Sequence, residues 1–120
     1  LTPYIPDKKY AKLLTNYNYG ILLREGIRIY EYTPGFVHAK VFTCDDERAV
    51  VGTINLDYRS LYLHFENGVW FYKNKVVADI FQDFKETLNY CDPINIEFCK
   101  NRNILVRGFQ SILRLLAPLL

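Results

Sequence analysis

The sequence has no methionine, one tryptophan, three cysteines and an almost balanced charge, formally +2 at neutral pH over 120 residues. So small a net charge removes composition as an argument for nucleic-acid binding. No apolar run reaches 18 residues, which excludes a transmembrane helix within this stretch, and no signal peptide is present. Any membrane anchor is therefore expected upstream. Cys44, Cys91 and Cys99 form no short metal-ligand motif, and an odd count is compatible with a reducing compartment. They are expected to be small buried or half-buried thiols. The chain opens on Leu1-Thr2-Pro3 with no initiator methionine, so it is expected to be cut from something longer and incomplete at its N-terminus.

What is present is core-forming material. Half of the residues are hydrophobic and 16% are aromatic, enough to exclude disorder. Residues 7–25 read as a helix interrupted near 16–18, with Asp7 as its cap and Gly26 as its stop. Residues 27–32 read as a strand that Pro34-Gly35 ends. Further strands are expected at 37–44, 48–51 and 65–72, with a loop or short helix over 52–60. From 75 to 90 the period changes: Val77, Ile80, Phe81, Phe84 and Leu88 share one helical face. Asp92-Pro93 ends that helix, and a last one is expected over 103–116. The order α–β–β–β–β–α–α implies an α/β layered fold, a mixed sheet flanked by helices. No internal repeat or domain boundary is evident over residues 1–120.

The chemistry concentrates between positions 38 and 66. In an extended strand, side chains alternate faces, so His38 and Lys40 share one face. Val37, Ala39 and Val41 form the apolar other. The lysine's charge opposes a second positive charge on the imidazole, which keeps the ring a nucleophile, and it offers a fixed cation to an anionic substrate. Gly52 permits close backbone approach. Thr53 and Asn55 add a hydroxyl and an amide, completing with Lys40 a donor set for phosphate oxygens that needs no metal or cofactor. Asp45 has the opposite parity to His38 and is expected to fix the turn. Glu66, on the last strand, is a candidate for holding the imidazole's tautomer. Asp57 and Arg59 are expected to brace the loop by an ion pair, and His64 to be exposed or structural.

His38-x-Lys40-x-x-x-x-Asp45 followed by Gly52-Thr53-x-Asn55 resembles the HKD motif of the phospholipase D superfamily. The flanks, 32–37 and 56–60, and the ending 114–120 resemble the cardiolipin synthase family within it. That resemblance implies a two-step phosphoryl transfer through a phosphohistidine, in which a second histidine protonates the leaving alcohol and then activates the acceptor. It implies that His38, Lys40, Asp45 and Glu66 are catalytic and that His38, Lys40, Thr53 and Asn55 bind phosphate. Thr53 stands where the family often has serine. The family usually has asparagine at the position of His64 and an apolar residue at that of Asn67.

The mechanism needs two such motifs, and this stretch holds one. The partner half-site is expected from the parent chain upstream or from a homodimer, and the isolated 120 residues are expected to be inactive. The resemblance further implies a phospholipid substrate, phosphatidylglycerol, converted to cardiolipin at the cytoplasmic face of a bacterial membrane, with no nucleic-acid partner. A phospholipase or nuclease using water as acceptor, and a non-catalytic lipid-binding or interaction fragment, are the alternatives. The tail from Ile104 to Leu116, with Arg107 and Arg114 among its apolar residues, suits either packing or an anionic membrane surface.

Overall fold

A computed structural model describes residues 1–100 and Gly108. In chain order the elements are β1 (Thr2–Pro3), α1 (Lys9–Arg24), β2 (Tyr30–Tyr32), β3 (Lys40–Cys44), β4 (Arg48–Gly52), α2 (Tyr58–Tyr62), β5 (Gly68–Tyr72), α3 (Lys75–Leu88), β6 (Cys91–Pro93) and α4 (Ile96–Lys100). They form two compact units. One comprises Leu1–Phe36 and the chain from Cys91 onward, the other Val37–Tyr90. The class is the expected mixed α/β. Among the described residues the strands form two three-stranded sheets, the mixed β1-β2-β6 and the antiparallel β3-β4-β5. The strands β1 and β6 are two and three residues long, too short to show an alternation in sequence.

In the first unit α1 runs without the interruption expected near Asn16–Asn18. Tyr19, at 2% exposure, anchors the helix there. The start is capped at Lys8 with no side-chain hydrogen bond, so Asp7 does not serve as the cap. The end meets the expectation for Gly26, which adopts φ +81°. Ile27 N–H donates to the Leu22 carbonyl (3.1 Å) and Gly26 N–H to that of Leu23 (3.2 Å), the paired bonds of a Schellman motif. Because residue 27 is turned back onto the helix, the strand expected over 27–32 shortens to β2. That strand pairs parallel with β1 and antiparallel with β6.

Beneath β2 lies a buried polar cluster. Glu31 is 4% exposed. Its carboxylate accepts from Lys12 Nζ and from the Tyr19 hydroxyl (3.0 Å), Lys12 also donates to the Pro3 carbonyl (2.8 Å), and Tyr19 shares a hydrogen bond with Thr2 Oγ1 (2.6 Å). A charge so buried is tolerable only when paired and hydrogen-bonded in this way. Cys99 packs against the Gly20 position of α1, where an added Cβ would lie 3.5 Å from its own Cβ. Apart from Gly108, the helix expected over 103–116 and the basic tail lie outside the described residues.

The second unit is an antiparallel β3-β4-β5 sheet with α3 laid against all three strands. Ala49 of β4 and Val77 of α3 are each only 1% exposed. Ile80, Phe81, Phe84 and Leu88 are half-buried on the same helix, the face the periodicity predicts. Asn74 caps α3 by accepting from Val76 N–H (3.0 Å). Asp45 and Asp46 turn the chain between β3 and β4 with φ of 55° and 54°, a left-handed backbone that aspartate tolerates better than most residues. Two strands are shorter than expected. β3 begins at Lys40 rather than at 37, and β5 at Gly68 rather than at 65, so His38 and Glu66 both lie in irregular segments just outside the sheet.

Candidate active site

Strand register assembles the site. Lys40 pairs with Gly52, and Gly52 with Gly68, so these three residues form one row across β3, β4 and β5. The row is the last of the sheet at this edge. Lys40 and Gly52 lie in the row, and just beyond it emerge His38 before β3, Thr53 and Asn55 after β4, and Glu66 and Asn67 before β5. Gly52 is required here for steric reasons. A Cβ built on it would lie 2.7 Å from Gly68 Cα and overlap the Asn67 carbonyl. The close approach lets β4 and β5 stay joined past the sheet's edge: Thr53 N–H donates to the Asn67 carbonyl (2.9 Å) and Asn67 N–H to Thr53 Oγ1 (3.1 Å).

His38 is exposed and Lys40 half-buried. Lys40 Nζ donates to the His38 carbonyl (2.7 Å). One of its three N–H groups thus ties down the histidine's backbone, and the ammonium stays beside the imidazole's point of attachment.

The loop from Thr53 to Glu66 closes through side chains. Glu66 accepts from the Thr53 hydroxyl, and the Ser60 hydroxyl also acts on its carboxyl. Asn55 Nδ2 donates to Ser60 Oγ (3.3 Å). Asn55 and Thr53 are thus each tied by a side-chain hydrogen bond to the far end of the loop, at Ser60 and Glu66. The Thr53 hydrogen bond first, and the Ser60 hydroxyl next, hold the Glu66 carboxyl below the usual carboxylate range. A carboxylate that accepts donors favours its ionised form. The Thr53 hydroxyl, expected to serve phosphate, gives its proton to Glu66. The Asn55 amide keeps its second N–H.

Ser60 is the residue that sequence reasoning missed. It is 7% exposed and the one buried residue of α2. Its backbone N–H donates to Asp57 Oδ1 (2.7 Å), an N-cap that starts the helix. The signal was available in Asp57-x-x-Ser60, a capping spacing, but nothing in it marked the hydroxyl as a link to Glu66. Asp57 therefore caps a helix and does not brace the loop against Arg59, as had been expected. Arg59 instead donates to His64 Nε2 (3.0 Å), with His64 exposed.

Asp45 stands at the opposite end of β3 from Lys40. It accepts from Arg48 NH1 (3.3 Å) and from Cys44 Sγ (3.1 Å). Cys44 is exposed, contrary to the buried thiol expected, and its hydrogen bond to Asp45 pushes the thiol's pKa up. Burial does the same for Cys91. Glu47 faces Lys73 at 3.7 Å, so two of the three acidic residues of this turn are matched by cations.

Comparison with known proteins decides the lineage. The family model described as "Cardiolipin synthase, PLD-like domain" matches residues 1–88, a span that contains every candidate site residue. The chain belongs to that family. It is 48% identical over its whole length to an uncharacterised protein of Streptococcus mutans, of which it covers 26%. It is 38% identical to a cardiolipin synthase of a Geobacillus species, covering 24% of it, and 34% identical to one of Clostridium perfringens, covering 25%. The chain thus spans about a quarter of the length of these relatives. No solved structure matches it.

Proposed function

We propose that this chain carries one half of the active site of a phosphatidyltransferase that makes cardiolipin from phosphatidylglycerol. The observation that carries the proposal is the row Lys40–Gly52–Gly68, whose register brings the segments bearing His38, Lys40, Thr53, Asn55 and Glu66 to one sheet edge, with Asp45 at the other. In the first step a histidine nitrogen attacks the phosphorus of phosphatidylglycerol. The phosphorus–oxygen bond to the headgroup glycerol breaks, and a second histidine protonates the departing oxygen. In the second step a hydroxyl of another phosphatidylglycerol gives its proton back to that histidine and attacks the phosphohistidine. Cardiolipin forms and the first histidine is released.

His38 is one of the two histidines. Lys40 and Asn55 take the phosphate oxygens, where charge-assisted hydrogen bonds stabilise the developing charge. Thr53 serves the phosphate mainly by setting the loop, since its hydroxyl proton is committed to Glu66. Glu66, kept ionised by Thr53 and Ser60, orients the imidazole and stabilises its cation. Asp45 supports the site by holding the turn at the far end of β3. The second histidine comes from the remainder of a longer parent chain or from a second copy, and the 120 residues alone are inactive. The site works at the cytoplasmic face of a bacterial membrane. No helix among the described residues is long and apolar enough to cross it.

The acceptor is tested by supplying the full-length protein with headgroup-labelled and acyl-labelled phosphatidylglycerol. The expected products are cardiolipin and free glycerol in equal amounts. Phosphatidic acid as the main product would assign water as the acceptor and make the protein a phospholipase.

A further inference from the structure

Ser60 is buried by this chain's own residues, so further parts of a longer protein can only deepen that burial. A buried hydroxyl needs partners for both its proton and its lone pairs. Its lone pairs are met by Asn55 Nδ2 at 3.3 Å. The hydroxyl acts on the Glu66 carboxyl in the sense of a donor, favouring the ionised form. A carboxylate can only accept, so the direction of the contact with Asn55 is set from the Glu66 end. With its proton turned to a carboxylate, Ser60 offers Asn55 lone pairs alone and must be met by an N–H. A flipped amide would set Asn55 Oδ1 against Ser60 Oγ, oxygen against oxygen. Asp57 fixes where the hydroxyl sits, because it accepts from the Ser60 backbone N–H (2.7 Å).

We propose that Ser60 is a positioning residue for the substrate phosphate: its buried hydroxyl locks the Asn55 amide, so that one N–H is spent on Ser60 and the other is held out as a donor. Asn55 is itself exposed. Without its anchor the amide turns over freely, and its carbonyl then takes the place of the N–H and repels a phosphate oxygen. Fixing the amide before the substrate arrives removes that penalty. Ser60 touches no substrate in this role and acts through Asn55. The inference rests on the proposed reading of Asn55 as a phosphate contact and adds the residue that makes that contact effective.

Ser60→Ala removes the hydroxyl but keeps the backbone N–H that Asp57 caps, so the start of α2 survives the change. The test is a double-mutant cycle in the full-length protein, with inorganic phosphate as the probe and its Kd read by phosphorus NMR. Ser60→Ala is expected to weaken phosphate binding about fivefold, and Asn55→Ala about tenfold or more. The double variant is expected to bind no worse than Asn55→Ala alone, because Ser60 acts through a group already removed. The side-chain amide signals of Asn55, identified by their absence from Asn55→Ala, should also shift in Ser60→Ala. An unchanged Kd in Ser60→Ala, or unmoved amide signals, overturns the proposal. Losses that multiply in the double variant overturn it too, and make Ser60 a support of the loop alone. An Asn55→Ala protein that binds phosphate normally refutes the proposed role of Asn55, and this inference falls with it. A weakened Asn55→Ala beside an unaffected Ser60→Ala refutes the inference alone. Neither readout needs turnover, so coupled phosphate binding without cardiolipin formation would keep the role of Ser60 and refute the proposed function instead.

Discussion

Replacing Gly52 by alanine tests how tightly the sheet edge that gathers the site is constrained. The added methyl would sit 2.7 Å from Gly68 Cα, about 1 Å inside ordinary carbon–carbon contact. Its obstacles are backbone atoms, which cannot rotate aside as a flexible side chain would, so β4 and β5 must part. Overpacking of this kind costs about 1–3 kcal/mol. Parting also loosens the reciprocal bonds between Thr53 and Asn67, at about 1 kcal/mol each. A loss of about 3 kcal/mol follows, which at a slope of about 2 kcal/mol per molar lowers the urea midpoint by about 1.5 M. Gly68→Ala is the matched control. Its Cβ would meet nothing nearer than Val50 Cγ1 at 3.4 Å, so the change is expected to be neutral or mildly stabilising, by up to about 1 kcal/mol. Equilibrium unfolding of both variants by circular dichroism decides the matter. A cost below about 0.5 kcal/mol for Gly52→Ala, or equal costs for the two, would refute the steric argument.

Three further substitutions probe other parts of the account. Thr53→Val removes the largest cause of the depressed Glu66 carboxyl, so its pKa should rise towards the ordinary 4.5, as followed by carbon-detected NMR titration; an unmoved value contradicts the assignment. The sign follows: a carboxyl depressed by folding stabilises above pH 4.5 and loses that contribution as the pH falls through its lowered pKa, and the variant should lose less on acidification. Lys12→Met strips the cation from Glu31 and should cost about 3 kcal/mol in thermal or urea unfolding, the range for a buried charge left without its partner; a change within about 0.5 kcal/mol would show that Glu31 does not depend on it. Gly26→Ala forces a Cβ into the left-handed backbone at the end of α1 and should destabilise by about 1 kcal/mol, measured the same way.

The legibility of this chain in its sequence depends on length of pattern. The helix α3 announces itself through five apolar residues on one face, and the structure keeps all five. The end of α1 is equally plain, because Gly26 supplies the one backbone conformation that a Schellman motif needs. The strands were found but overrun. Residues 37–39 and 65–67 have strand composition, yet the paired row ends at Lys40, Gly52 and Gly68, and composition does not carry the point where partners run out. The strands β1 and β6 exist only because β2 lies between them, so local sequence gives no sign of either.

The candidate site divides in the same way. His38, Lys40, Thr53 and Asn55 were marked by residue type and spacing, and pairing of the strands brings their segments to one edge. The Ser60 hydroxyl and the commitment of Thr53 to Glu66 were not marked, since both depend on a loop folding back on itself. The distinction matters for how the loop is read: Thr53 and Glu66 are hydrogen-bonded and the Ser60 hydroxyl acts on the same carboxyl, so replacing any one of them disturbs the others.

The central claim, that His38 is one of two histidines performing phosphatidyl transfer, is tested most directly by turnover of labelled phosphatidylglycerol by the full-length protein and its His38→Ala variant. The account predicts that cardiolipin formation falls by at least about a thousandfold, with unfolding unchanged because the imidazole is exposed. Turnover within about tenfold of the unaltered protein would contradict it.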